Sequence, residues 1–473
     1  MMIPMRVALW SSPVLVAIVV AVGCGGSGAE APPESTPVGG EEAGAPVGDA
    51  AAETGAAQDA DATTTAPGAF VSVGSAPEPC PLPVATCGAW PDATTEGVVT
   101  KHTSRETFGA KTIERTFHVF NPKTVVDAAA ASPVVIVLHG GNGSGTRFLA
   151  TQAWTTLAQA PAAGMTWRPN GPLCKALPTS EANGLVYQTA GGAGCMPPPK
   201  IATSTKPFIV VYPDGVADPG KTDARHWEDG RVPSPGFDTP GPNRDDVGFV
   251  DHVIAVILAD KTLKIDPTNV YLAGASNGGI MTQRIASEIA KPAYPNLRRV
   301  AAFAAFISEL PESLKVLPVA SVPFGLTLFH GTGIDMPNCN TPGCTTPTVT
   351  GDDRMPFGEI GGVYYVNSPD RGRVLSGPDT IAAWRASLGA AAGAAPTTAT
   401  ADVGDFSNKA TTTYGASAVT FESWVTTGGG HGFLSTRQDF MPVTRAWAFI
   451  SSFKRDASGT LTRQTPSWVN GDY

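Results

Sequence analysis

The sequence predicts an α/β fold, a mostly parallel central sheet flanked by helices, with disulfide-tied loop insertions. Three observations carry that expectation. Short continuous apolar runs such as "SPVVIVLHGG" at 132–141, "PFIVVYPDG" at 207–215 and "VAAFAAFIS" at 300–308 have the length and texture of strands buried on both faces. Segments of helical spacing alternate with them, as in a parallel sheet built from crossovers. The polar motifs stand where these runs end, at the carboxyl edge where such sheets bind ligands.

The first stretch is not part of the fold. Met1–Arg6 carries one positive charge, Val7–Val22 is apolar apart from Ser11, Ser12 and Pro13, and "AVGC" closes the run at 21–24. A charged start, a short apolar core and small residues before a cut describe a signal peptide over 1–23. A cysteine after the small residues resembles a bacterial lipobox, which predicts cleavage before Cys24 and a lipid on it. Ala21 stands where Leu is commoner. Residues 24–79 are dominated by Ala, Gly, Pro, Thr and acidic residues, too poor in large apolar side chains to offset their ordering entropy. They read as a tether. Residues 80–107 read as an N-terminal extension, and 108–473 as the main α/β domain.

Within the domain, "IERTFHVF" at 113–120 alternates like an early strand. The 132–141 run follows, then a helix near 151–160 and a long connection to 206 holding Trp154, Trp167, Cys174 and Cys195. That connection exceeds a simple crossover and reads as an inserted loop, either lid or decoration. After the 207–215 strand, "DDVGFVDHVIAVILADK" at 245–261 has helical spacing with acidic residues in its first turn, as the helix dipole favours. "NVYLAGASNGG" is a strand and turn, and "NGGIMTQRIASEIA" a helix. Strands at 300–308 and 322–333, a helix at 378–389, a strand entering "GGGHGF" at 418–433 and a helix at 444–455 complete the domain.

Gly274-Ala275-Ser276-Asn277-Gly278 matches G-x-S-x-G. The pattern serves a sharp strand-to-helix turn: the two glycines let strand and helix pass closely while the serine is forced outward at a helix N-terminus. A serine nucleophile needs a base. Of seven histidines, only His330 and His431 follow Ser276. His431, in "GGGHGF" after the last strand, fits the order nucleophile, acid, base. His330 in "FHGTG" and His139 in "LHGG" are expected to hold their loops, and His252 to pack on its helix. The oxyanion hole needs two backbone N–H groups. Asn277 is expected to give one, and the "LHGGNGSG" turn the other, with Gly141 chosen and Gly140 and Asn142 as neighbours. No Walker lysine or dinucleotide G-x-G-x-x-G is present.

"VIVLHGG", "VVYPDG", "DDVGFVDHVIAVI", "VYLAGASNGGIMTQRIA", "FHGTG" and "GGGHGF" stand in the order found in secreted polyhydroxybutyrate depolymerases and feruloyl esterases. Over roughly residues 108–455 the chain resembles this esterase D-like, carbohydrate-esterase-1-type branch of the α/β-hydrolases. The resemblance implies a serine esterase with Ser276 as nucleophile and His431 as base, and no metal or organic cofactor. The chain departs from the pattern at the acid. "HGTGID" has one extra residue, and "MPFGEIGG" follows only after a cysteine-bearing insert. Asp335 keeps the place at the strand end and is preferred; Asp352, with Asp353 beside it, keeps the spacing to Met355-Pro356 and is the alternative. Trp227 in "RHWEDG" stands where the family often carries a tryptophan, either lining the substrate pocket or packing the loop.

Composition narrows the rest. A net charge of −9 with no basic run excludes a nucleic-acid footprint. Six cysteines remain beside Cys24, an even number suited to disulfides in an exported chain. Nearest neighbours (Cys80 with Cys87, Cys174 with Cys195, Cys339 with Cys344) are the expected pairs, and their spacing fits no zinc site. The expected partners are an ester substrate, possibly polymeric, and a membrane reached through the N-terminal lipid. Gly25 after Cys24 lacks the retention aspartate, favouring the outer membrane or cell surface. The competing expectations are a catalytically inactive hydrolase-fold binding lipoprotein, and a serine peptidase or acyltransferase on the same fold.

Overall fold

The computed structural model describes residues 69–78, 97–108, 110–151, 153–158, 165–168, 171–175, 206–217, 224–232, 244–331, 365–368, 372–389, 397–401, 409–416, 419–426 and 442–465. Its centre is an eleven-stranded sheet. In chain order the strands are β1 (Ala69–Pro77), β2 (Gly97–Phe108), β3 (Lys111–Pro122), β4 (Ser132–Leu138), β5 (Ile209–Pro213), β6 (Ile265–Ala275), β7 (Val300–Phe306), β8 (Gly325–Gly331), β9 (Thr397–Ala401), β10 (Lys409–Ala416) and β11 (Val419–Thr426). Their order across the sheet is β1-β2-β3-β5-β4-β6-β7-β8-β11-β10-β9. The six strands from β5 to β11 run parallel. Antiparallel pairs flank them, β1-β2-β3-β5 on one side and β11-β10-β9 on the other. From β2 to β11 this is the α/β-hydrolase strand order, with the second strand antiparallel and the third and fourth exchanged.

Helices cover both faces because the parallel strands are apolar on both sides. Ile136 and Leu138 face α3 (Asp246–Ala259), α4 (Asn277–Glu288) and α5 (Gly377–Ser387), in a core with Phe249, Ile254, Met281, Ile285 and Trp384. Val135 and Val137 face α1 (Gly145–Thr151), α2 (Ala153–Ala158) and α6 (Pro442–Ile450), in a core with Trp154, Phe306 and Trp447. Local chemistry sets the helix starts. The Asp245 carboxylate accepts from the Gly248 N–H at 2.7 Å, and the Ser376 hydroxyl accepts from the Asp379 N–H at 3.2 Å with Pro378 in the first turn.

The sheet reaches further toward the N-terminus than the apolar pattern indicates. β1 and β2, which fall within the expected tether and extension, are strands of the same sheet. Chemistry hides β2: its inward positions are His102, Ser104 and Glu106, all buried and all polar. Glu106 is matched by Arg115 at 2.7 Å, and Arg115 reaches Asp246 at 2.6 Å. The strand buries an ion pair where a hydrophobic pattern would have announced it. β1 is exposed along nearly its whole length, with Phe70 stacked on His252. Of the cysteines, only Cys174 lies among the described residues, on the strand Gly171–Lys175.

Candidate active site

The register of the parallel strands assembles one point on the carboxyl edge. Gly274 of β6 pairs with Leu138 of β4 and with Ala305 of β7. Ser276 therefore sits between the exit of β4 and the exit of β7. Its backbone has φ 55° and ψ −124°, a region that residues with a Cβ avoid. Its N–H donates to the Phe306 carbonyl at 2.9 Å, and its carbonyl accepts from Ile280 at 2.9 Å as α4 begins. The motif's glycines are steric necessities. A Cβ on Gly274 would strike the Gly278 carbonyl oxygen, and one on Gly278 would strike the Leu138 and His139 carbonyl oxygens. A third, Gly279, leaves room for the Ser308 hydroxyl, placed there just after Ile307 leaves β7 at φ 42°.

The turn after β4 lies beside the serine. A Cβ on Gly140 would stand 3.4 Å from the Ala275 carbonyl oxygen and 3.5 Å from the Ser276 Cβ. His139 is fully buried. Its Nε2 accepts from the Gly215 N–H at 2.9 Å, so the proton resides on Nδ1, which donates to the Gly140 carbonyl at 2.8 Å. Burial pulls this imidazole down to about 4. It is neutral and holds the turn, as expected from its place in "LHGG". Asn142 takes φ 60°, donates its N–H to the Arg225 carbonyl at 3.0 Å and places its Oδ1 3.0 Å from the His226 Nε2. Gly143 donates to the Gly140 carbonyl at 3.0 Å.

Trp227 and Asn277 lock the two halves together. The Trp227 indole N–H donates to the His139 carbonyl at 2.8 Å, with its ring 5.0 Å from the imidazole. Trp227 is only 3% exposed, so it braces the turn. The Asn277 Oδ1 accepts from the Trp227 N–H at 2.8 Å, while its Nδ2 donates to the Trp227 carbonyl at 3.0 Å and to the Asp229 Oδ2 at 2.6 Å. Asp229 in turn holds Arg231 at 2.8 Å.

Acid–imidazole contacts lie on both flanks. At the end of β8, His330 and Glu309 meet at 2.7 Å, both buried. On the other side Asp214 collects Thr116 Oγ1 at 2.6 Å, the Gly145 N–H at 2.7 Å and His118 Nε2 at 3.2 Å, while His118 Nδ1 meets Glu78 at 2.5 Å. Burial alone would raise the Asp214 carboxyl, but the bonds from His118 and Thr116 and the His118 charge outweigh it and hold it below the usual carboxylate range. Burial alone would likewise lower His118, but the bonds to Asp214 and Glu78 push it up to about 9. His252 meets Ser104 at 2.9 Å and has a packing role.

Among the sequence candidates, the fold brings Ser276, Asn277, Gly141 and Trp227 to one locality. His431, Asp335, Asp352 and Cys24 lie outside the described residues, as do Cys80, Cys87, Cys195, Cys339 and Cys344. Sequence reasoning missed Asp214, Asp229, His118 and Glu78 as supports of the site. An aspartate before glycine in both "YPDG" and "WEDG" was the available signal, since such residues hydrogen-bond nearby backbone N–H groups.

No family model and no curated protein matches the chain. Solved structures do. A thermostable esterase shares 14% identity at a TM-score of 0.25, over 51% of this chain and 57% of its own. An S-formylglutathione hydrolase from Agrobacterium tumefaciens shares 13% at 0.28, over 52% and 79%. A ferulic acid esterase shares 13% at 0.28, over 50% and 80%. The chain thus spans little more than half the length of the first of these. The assignment of the α/β-hydrolase fold stands on the strand order itself.

Proposed function

We propose that the protein is a serine hydrolase of carboxylic esters with Ser276 as nucleophile. The observation that carries this is the backbone of Ser276. A residue with a side chain is held at φ 55° on a strand-to-helix turn whose neighbouring glycines have no room for a Cβ. A position that tolerates glycine so readily, yet presents a hydroxyl, keeps the strain for the hydroxyl.

In this mechanism the Ser276 Oγ attacks the ester carbonyl and gives its proton to His431. The Asn277 N–H and the N–H of Gly141 hold the oxyanion, since the Asn142 amide is committed to the Arg225 carbonyl and the Gly143 amide to the Gly140 carbonyl. His431 returns the proton to the leaving alcohol, and water repeats the cycle on the acyl-enzyme. Asp335, or Asp352 in its place, orients His431. Trp227 supports the oxyanion turn from beneath. The substrates proposed are polyhydroxyalkanoates or feruloyl and acetyl esters of polysaccharides. The protein is proposed to be exported and held at the outer membrane or cell surface through a lipid on Cys24, which suits attack on polymers outside the cell.

The test is fluorophosphonate labelling of the full chain, with the modified peptide located by mass spectrometry. The expected result is one label on Ser276 that disappears in His431→Ala. Folded wild type that takes no label would overturn the proposal and favour a hydrolase-fold binding protein. Labelling with turnover of peptides but not of simple esters would make it a peptidase.

A further inference from the structure

We propose that Glu78, His118 and Asp214 form a positioning relay that holds the 139–145 turn against Ser276, which makes the strand Ala69–Pro77 part of the reactive unit. This rests on the esterase proposal above.

The relay is continuous. Glu78 leaves β1 and is fixed to the sheet by its own N–H, which donates to the Val99 carbonyl at 3.0 Å. Its carboxylate meets one His118 ring nitrogen at 2.5 Å, and Asp214 meets the other at 3.2 Å. A ring with a carboxylate on each nitrogen is an imidazolium donating twice. Asp214 then fixes the far end of the turn through the Gly145 N–H at 2.7 Å. The next residue, Gly215, fixes the near end by donating to His139 Nε2 at 2.9 Å. Arg225 closes the ring: its guanidinium donates to the Gly215 carbonyl at 3.2 Å, and its own carbonyl accepts from Asn142 at 3.0 Å. The packing leaves no slack, since a Cβ on Gly145 would stand 3.0 Å from the His118 ring and strike the Tyr212 carbonyl.

The charges around His118 are Glu78, Asp214 and Arg225 beside Asp214, with Lys101 opposite it in register on β2 and His102 next to that. The two carboxylates outweigh burial and push His118 up to about 9. The sign follows. A histidine raised above its ordinary 6.5 contributes fully below that pH and loses its contribution as pH rises through about 9. The turn is therefore tight at neutral pH and slackens as pH passes about 9.

The test compares full-length wild type with Glu78→Gln, a partly exposed position that leaves the core intact. Three readouts are taken: kcat and KM on a p-nitrophenyl ester, the alkaline limb of kcat, and hydrogen–deuterium exchange of the 139–145 amides. Removing the Glu78 charge is expected to lower kcat about tenfold, because oxyanion donors act in the transition state, with KM within about twofold. The alkaline limb moves to lower pH, and the turn amides exchange faster. Restoration of kcat and limb by Glu78→Asp would support a charge role over simple packing. Wild-type kcat, limb and exchange in Glu78→Gln would overturn the relay. An inactive wild type whose turn amides still respond to Glu78→Gln would overturn the esterase proposal and leave the relay standing.

Discussion

Asn277→Asp is the sharpest probe of how the turn at Ser276 is held. The substitution keeps the side-chain shape and the acceptor for the Trp227 N–H, but removes the two N–H donors aimed at the Trp227 carbonyl and Asp229. The bond to a charged carboxylate is worth about 1.5–3 kcal/mol and the neutral one about 1 kcal/mol, so an ionised replacement costs about 2.5–4 kcal/mol. It also faces Asp229 with a like charge. A protonated replacement can still donate to Asp229 and recovers most of the loss. The new carboxyl is therefore raised in the folded state above its unfolded value of about 3.9. The folded variant binds the extra proton, so its deficit against wild type appears above about pH 4 and deepens as pH rises. Urea unfolding at pH 5 and pH 8 checks this. Between those pH values the deficit grows by about 1.4 kcal/mol for each unit by which the folded carboxyl exceeds pH 5. A deficit below about 1 kcal/mol at pH 8, or one equal at both pH values, would refute a charge-assisted clamp between Asn277 and Asp229.

Two further outcomes follow from the same geometry. Ser276→Gly removes a side chain from a backbone held at φ 55°, so it is expected to stabilise the fold by about 1 kcal/mol in denaturant titration while abolishing fluorophosphonate labelling; a destabilised variant would contradict stored strain. His139 is buried with its imidazole lowered from 6.5 to about 4, so the unfolded chain gains a proton that the folded one refuses. Wild type should lose about 3 kcal/mol more than His139→Gln between pH 6.5 and pH 4, and parallel pH–stability curves would refute the assignment of a neutral, turn-holding histidine.

The parallel core and the tight turn at Ser276 were legible before folding, because both are written largely in local chemistry. Runs such as Val134–Leu138 and Val300–Phe306 must be buried on both faces wherever they end up. Gly274 is crowded by the Gly278 carbonyl of its own turn, whereas Gly278 is crowded by the Leu138 and His139 carbonyls that folding brings to it. His139 was legible as a loop-holding residue from its place at a strand end. How that turn is supported emerges only when distant segments meet. β2 shows a polar inward face because its burial is offset by Arg115, which follows in β3, and by Asp246 on α3, a partner that lies far along the chain. Trp227 stood equally well as pocket wall or brace, and its bond to the His139 carbonyl joins segments that only folding brings together. Asp214, His118 and Glu78 come from three separate segments, and a buried carboxylate becomes stable only once its cation and N–H donors have been brought to it by strand pairing. Hydrophobic periodicity is a property of neighbours in sequence, whereas compensation of buried charge is a property of neighbours in space.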